Sequence, residues 1–172
     1  APASSYELAL TDPGFKFPQL WRSNIAVDRR LPYGLTGTAE LVYNRDVNGV
    51  YYINANLPAP QSAFNDADGR PRWTNNRLVS NVQNAVVLKN QDIGRSWNIV
   101  TSLERRLNRG LWVKGAYSYT EAKNTIDPGS IASGSWFGNA HTGDPNNPGL
   151  AYSSFSPGHR LFLAASYTKE YF

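Results

Sequence analysis

RRLPYGL, from Arg29 to Leu35, recurs as RRLNRGL from Arg105 to Leu111, and both copies are flanked by runs in which apolar and polar residues alternate. A glycine stands at the same place in each, Gly34 and Gly110, where a tight hairpin turn needs positive φ, and Pro32 and Asn108 are turn formers as well. Two copies of one hairpin predict one repeated architecture. Before the first turn, Trp21, Ser23, Ile25 and Val27 oppose Arg22, Asn24, Ala26 and Asp28. After it, Leu35, Gly37, Ala39, Leu41 and Tyr43 oppose Thr36, Thr38, Glu40, Val42 and Asn44. Around the second turn, Trp97, Ile99, Thr101 and Leu103 oppose Asn98, Val100, Ser102 and Glu104, and Leu111, Val113, Gly115, Tyr117 and Tyr119 oppose Trp112, Lys114, Ala116, Ser118 and Thr120. A last run sets Leu161, Leu163, Ala165 and Tyr167 against Arg160, Phe162, Ala164, Ser166 and Thr168.

The mid-strand charges Asp28, Glu40 and Lys114 all fall on the polar side. That is required if the other side meets hydrocarbon, where a cation at the midplane costs ~2 to 4 kcal/mol. A soluble antiparallel sheet with one wet face gives the same alternation, so strand length and loop asymmetry have to separate the two. Five crossings are expected, over 17–31, 35–55, 95–107, 111–122 and 158–168. The run 35–55 exceeds the ~9 to 11 residues that cross a bilayer, so its far end is expected to stand above the membrane in a projecting hairpin. The other connections, Asn56 to about Asn76 and Lys123 to Pro157, are long and dense in Asn, Asp, Gly, Pro and Ser. Between them, Arg77 to Asn90 reads as loop structure rather than wall, with Leu78, Val82, Ala85, Val86 and Lys89 permitting a strand or a short helix. The expected fold is all-β: an antiparallel up-and-down meander forming a partial wall of a large transmembrane β-barrel, with short periplasmic turns and long extracellular loops.

Composition is compatible with this. No apolar stretch reaches the ~18 residues of a spanning helix, and a mean hydropathy of -0.48 looks soluble, but barrel strands face lipid with only every second residue. With Cys 0 there is no disulfide framework and no thiolate metal site. The first residues lack the basic and apolar regions of a secretion signal, so such a signal is expected upstream or not at all. The net charge of +4 is not gathered into a basic tract with interleaved stacking aromatics, which argues against a nucleic-acid partner. Arg29, Arg30, Arg105, Arg106, Arg109 and Lys169 collect at the short-turn ends instead, level with phospholipid headgroups in a barrel. Tyr43, Tyr51, Tyr52, Tyr117 and Tyr119 near the loop ends, with Tyr33 and Trp112 near the short turns, are expected to form two aromatic girdles at the membrane interfaces.

Longer strings carry a resemblance. DVNGVYYINANLP (Asp46 to Pro58), DGRPRW (Asp68 to Trp73), EAKNTIDPGSIASGSW (Glu121 to Trp136) and NAHTGDPNNPGLAYSSFSPGHR (Asn139 to Arg160) resemble the barrel of Oar-like TonB-dependent receptors, over nearly the whole chain. The resemblance implies an outer-membrane barrel of about 22 strands around an N-terminal plug. It also implies ligand capture at the extracellular loops and uptake energised through the TonB complex. On that footing the partners are outer-membrane lipid, the protein's own plug and remaining barrel strands, and TonB, and the location is the outer membrane. This chain holds about five crossings and no plug, so it is expected to be part of a longer polypeptide and to form an open sheet. An open sheet leaves unpaired edges, each group of which costs several kcal/mol in lipid.

Catalysis is not expected. His141 and His159 are the only imidazoles, and no HExxH or GxSxG arrangement is present. No cofactor or metal is expected either. Asn65, Asp66, Asp68 and Gly69 resemble part of a calcium loop, but Phe64 and Asn75 break that template at its first and twelfth positions. Trp73, Trp136, Phe137 and Tyr152 are the candidate ligand-contacting loop residues, with internal packing of the loops as the competing role. The inward charges Arg22, Asp28, Arg30, Glu40, Glu104 and Lys114 would face the plug or lumen water. Siderophore, glycan, peptide and protein ligands all remain open. So do two other architectures of use: a β-sandwich glycan-binding module and a barrel-based adhesin.

Overall fold

The structure, a computed structural model, describes residues 5–65, 67, 69–129, 131–139 and 143–169. It is mostly β-sheet, 57% strand and 8% helix. Among the described residues the strands are β1 (Tyr6–Thr11), β2 (Gln19–Leu31), β3 (Leu35–Asn54), β4 (Ser62–Ala63), β5 (Pro71–Arg72), β6 (Val82–Gln91), β7 (Arg95–Arg106), β8 (Leu111–Asn124), β9 (Ala151–Tyr152) and β10 (Gly158–Tyr167), with one α-helix, α1 (Ala132–Phe137), and 3-10 turns at Pro32–Gly34 and Asn108–Gly110. The main sheet has eight strands and is mixed, mainly antiparallel, and not closed into a barrel. The chain divides into two compact units, one comprising 21–45, 95–123 and 152–172, the other 1–20, 46–94 and 124–151.

The first unit is a meander. β2 pairs β3, and β3, β7, β8 and β10 follow in order, joined where the sequence repeats by the two short turns. Register decides which side chains share a face. Leu41 lies opposite Ile99 and Ile99 opposite Tyr119; Leu103 lies opposite Gly115 and Gly115 opposite Leu163. The apolar rows of four strands therefore form one face, because a slip by one residue would have sent any of them to the other side. The opposite face is stitched by polar pairs: Asp28 accepts from Thr38 (2.6 Å), Asn44 donates to Ser96 (2.9 Å), Asn98 donates to Thr120 (2.8 Å), and Lys114 lies 3.6 Å from Glu104.

Each short turn carries two consecutive residues at positive φ. Tyr33 (64°) precedes Gly34 (72°), and Arg109 (70°) precedes Gly110 (79°). The alternation reading located only the glycines. A left-handed non-glycine residue costs ~1 to 2 kcal/mol, so both turns hold the same strain at the same place. The two glycines are not equivalent. A Cβ at Gly34 would meet nothing within 4 Å, whereas one at Gly110 would collide with the Thr168 carbonyl oxygen, whose own amide donates to Gly110 O (3.0 Å). Gly110→Ala is therefore expected to destabilise by roughly 2 kcal/mol or more, and Gly34→Ala by about 1 kcal/mol, in paired denaturant titrations of the folded protein.

The second unit replaces the loop expected over 77–90 in part and decides between the two alternatives left open there. Residues 82–91 take the strand rather than the helix, forming the regular strand β6, antiparallel to β3 over 49–54 and parallel to β1 over Tyr6 to Thr11. The cause lies in the side chains. Val82, Ala85 and Val86 are buried, as is Asn84, and α1 packs against this strand. The parallel β1 also departs from a pure up-and-down antiparallel meander. It is tied down next door, where Asp12 accepts from the Gly14 amide (2.8 Å) and meets Lys89 (3.3 Å), and where the Asn90 amide bonds both backbone groups of Lys16 (2.7 and 2.9 Å). The Gly14 N–H and then the Lys89 ammonium hold the Asp12 carboxyl below the usual range.

Candidate functional site

Two surfaces bear on function, the apolar face of the first unit and the loop assembly of the second. On one strand of the apolar face the usual burial order is inverted. In β7 the row Trp97, Ile99, Thr101 and Leu103 is exposed while Ser96, Asn98, Val100, Ser102 and Glu104 are half-buried. Leu161 and Leu163 are 74% exposed, Ile25 66%, Trp21 54% and Ile99 42%, while Leu41 is half-buried. Among the described residues no double-layered core gathers these side chains. The only other sheet among the described residues is the β4–β5 pair, two residues on each side and too small to be the second layer of a sandwich. Each large apolar side chain left out of a core forgoes up to ~1.5 to 3 kcal/mol, so a row of them forgoes as much as the ~5 to 15 kcal/mol that separates folded from unfolded protein.

The aromatic residues at the loop end of this face are in contact. Trp21 meets Tyr43 edge-on at 6.1 Å between ring centroids, and Tyr43 meets Trp97 at 4.3 Å. Further along, the Tyr117 hydroxyl lies 2.6 Å from His159 Nδ1, and the Tyr119 ring lies 4.8 Å from the His159 ring. The Tyr119 hydroxyl donates to Glu121 (3.2 Å), and Glu121 pairs Lys123 (2.8 Å), whose ammonium sits 4.6 Å from the centre of the Tyr152 ring. The Glu121 carboxylate holds the Lys123 ammonium above its ordinary range. Apolar ring bodies with polar tips directed toward the loops suit a boundary between hydrocarbon and water. Trp21 was not among the expected girdle residues, although its place in the alternation put it on this face.

The other expected interface residues divide. Tyr33 is 82% exposed at the tip of the first short turn. Trp112 does not join it, because its register partners are Arg106 and Ser166, on the polar face. Tyr51 and Tyr52 lie in the second unit, opposite Lys89 and Leu88.

The loop assembly is organised by asparagine. Four of these side chains each bond both the N–H and the C=O of one distant residue: Asn56 with Val79 (2.8 and 3.2 Å), Asn90 with Lys16, Asn139 with Asp127 (2.9 and 3.2 Å) and Asn146 with Asn54 (2.7 and 2.9 Å). A primary amide has a donor and an acceptor spaced like those of a strand residue, so it substitutes for a backbone partner where no strand is available. Of the candidate ligand residues, Trp73 is spent on the loops themselves, its indole donating to Pro58 O (2.8 Å). Trp136 stacks edge-on against Phe137 at 4.8 Å, and its Nε1 is buried without a partner, as are Asn84 Oδ1 and Thr125 Oγ1. Phe137 and Tyr152 remain exposed. Asp66, Asp68 and His141 lie outside the described residues. Among the described residues no cluster of three or more His, Cys, Asp or Glu side chains could hold a metal, and no helix is long and apolar enough to cross a membrane.

Comparison with family models, with curated proteins and with solved structures yields no match for this chain.

Proposed function

We propose that this chain is a stretch of the wall of a TonB-dependent receptor barrel of the Oar-like kind in the outer membrane. Its loops take part in capturing a ligand for energised uptake, and the chain is not an enzyme. The observation that carries the membrane part of the reading is the inverted burial along β7, whose apolar row is its more exposed row, together with the bare Trp21, Ile25, Leu161 and Leu163 on the same face. A sheet meant for water buries that row against a second layer. One meant for lipid leaves it bare, because the acyl chains are the second layer. Strand length agrees: β2, β7 and β8 run 13, 12 and 14 residues, beyond the ~5 to 6 of ordinary strands and sufficient for a tilted crossing. Among the described residues the outer edges of β2 and β10 carry no partner strand, so further strands would complete the wall. The receptor class rests on the resemblance of the loop strings alone.

The membrane reading is tested by reconstituting the intact polypeptide that carries this segment into vesicles whose acyl chains bear bromine, using variants that retain one tryptophan each. Trp97 and Trp21 are expected to be quenched, and Trp73 and Trp136 to be spared. A monomer that stays in solution with all four unquenched sinks the proposal.

A further inference from the structure

On the reading that the bare row meets lipid, we infer that it carries a seat for one anionic phospholipid, with an acyl chain in the groove over Gly37, Ala39 and Gly115 and the phosphate held by Arg29 and Arg105. Two adjoining depressions of about 480 and 610 Å³ open on this row and share Leu103 and Gly115. Their floor is low where Gly37, Ala39 and Gly115 stand on the strands either side of β7, with the Leu31, Leu103 and Leu163 side chains leaning in at its edges. Gly37 lies opposite Leu103, which lies opposite Gly115, and Ala39 is one pleat further along on the same face. Val27, Leu31 and Leu161 stand up as walls around the first depression. A lining of this kind has little to offer a headgroup and suits a hydrocarbon chain.

Charge picks out the head. Arg29 lines the first depression and Arg105 the second, both near the short turns and both on the row that is otherwise apolar; Arg105 lies between Leu35 and Val113. Among the described residues neither arginine has a carboxylate or any other partner. A guanidinium facing hydrocarbon reaches along its stem for the interface, and a phosphate there accepts two of its N–H groups at once. In the proposed orientation the short turns face the periplasm, where the leaflet is phospholipid. The occupant is therefore a phospholipid rather than a soluble phosphate, and an anionic one, because each of the two adjoining depressions carries an arginine at its short-turn end.

The test uses the intact membrane-inserted protein, released from vesicles of equal phosphatidylglycerol and phosphatidylcholine and weighed with its retained lipids by native mass spectrometry. The protein is expected to keep one phosphatidylglycerol in preference. Arg29→Gln with Arg105→Gln is expected to reduce that retention roughly tenfold. Ala39→Phe, which fills the groove at an exposed strand position, is expected to reduce retention with both arginines in place. Equal retention of the two lipids, or unchanged retention in the double variant, overturns the seat. Quenching of Trp97 by brominated chains in the same samples separates the failures: quenching without lipid preference overturns the seat alone, and no quenching overturns the membrane reading beneath it.

Discussion

Leu161→Arg is expected to cost ~2 to 4 kcal/mol of folding free energy in a bilayer, while Ser102→Arg costs little. The two positions are at nearly the same depth, since Leu161 lies opposite Tyr117, Tyr117 opposite Thr101, and Ser102 is the next residue along. They differ in face. Leu161 is on the row that the register assembles from apolar residues, and Ser102 is on the row stitched by Asn98, Thr120, Glu104 and Lys114. In water the contrast vanishes, because Leu161 is already largely exposed and an arginine there would simply be solvated. Urea titration in vesicles reads the difference. Equal and small effects from both substitutions would remove the basis for placing lipid on this face.

Asn56→Asp is expected to release the segment around Val79 to Val82 and to cost about 3 kcal/mol locally, the scale of setting an unpaired carboxylate against buried carbonyls. Asn56 is buried, and its Nδ2 donates to both Val79 O (3.2 Å) and Val82 O (2.6 Å). The aspartate keeps shape and one acceptor for the Val79 amide but loses both donations, so oxygen faces oxygen at each. Asn75→Asp is the control, since Asn75 uses only its Oδ1, to accept from the Arg77 amide, and a carboxylate does this equally well. Amide hydrogen exchange at Val79 and Val82 measures the outcome, and equal protection in both variants would show that the asparagine bonds do not hold the loops.

Much of the first unit is legible in its residues. Side chains alternate strictly along a strand, so the assignment of Ile99 and Leu103 to one face and Ser102 and Glu104 to the other follows from neighbours two positions away. The turns are equally local, as a glycine at the fourth place after each Arg-Arg pair marks the left-handed position. The residue before it is not marked at all. Tyr33 and Arg109 have no preference for positive φ, yet each adopts it directly before a glycine that does the same. The break between β6 and β7 was hidden in a similar way. Gln91 closes it by donating to Asp46 (2.9 Å) and accepting from the Ile93 and Gly94 amides (2.6 and 3.0 Å), and the bare backbone of Gly49 and Gly94 leaves room for the Asp46 carboxylate.

The amino-acid order by itself determined the five long strands, their faces and the two turns, because period-two alternation and turn chemistry act over a few residues. Tertiary structure alone decided between strand and helix for residues 82–91, that Tyr6 to Thr11 pairs with them in parallel, and that asparagines bind backbone 12 to 92 positions away. Those choices come from hydrogen-bonding groups that find partners only once the chain has brought distant segments together, and an amide side chain carries the same donor and acceptor whichever segment it meets.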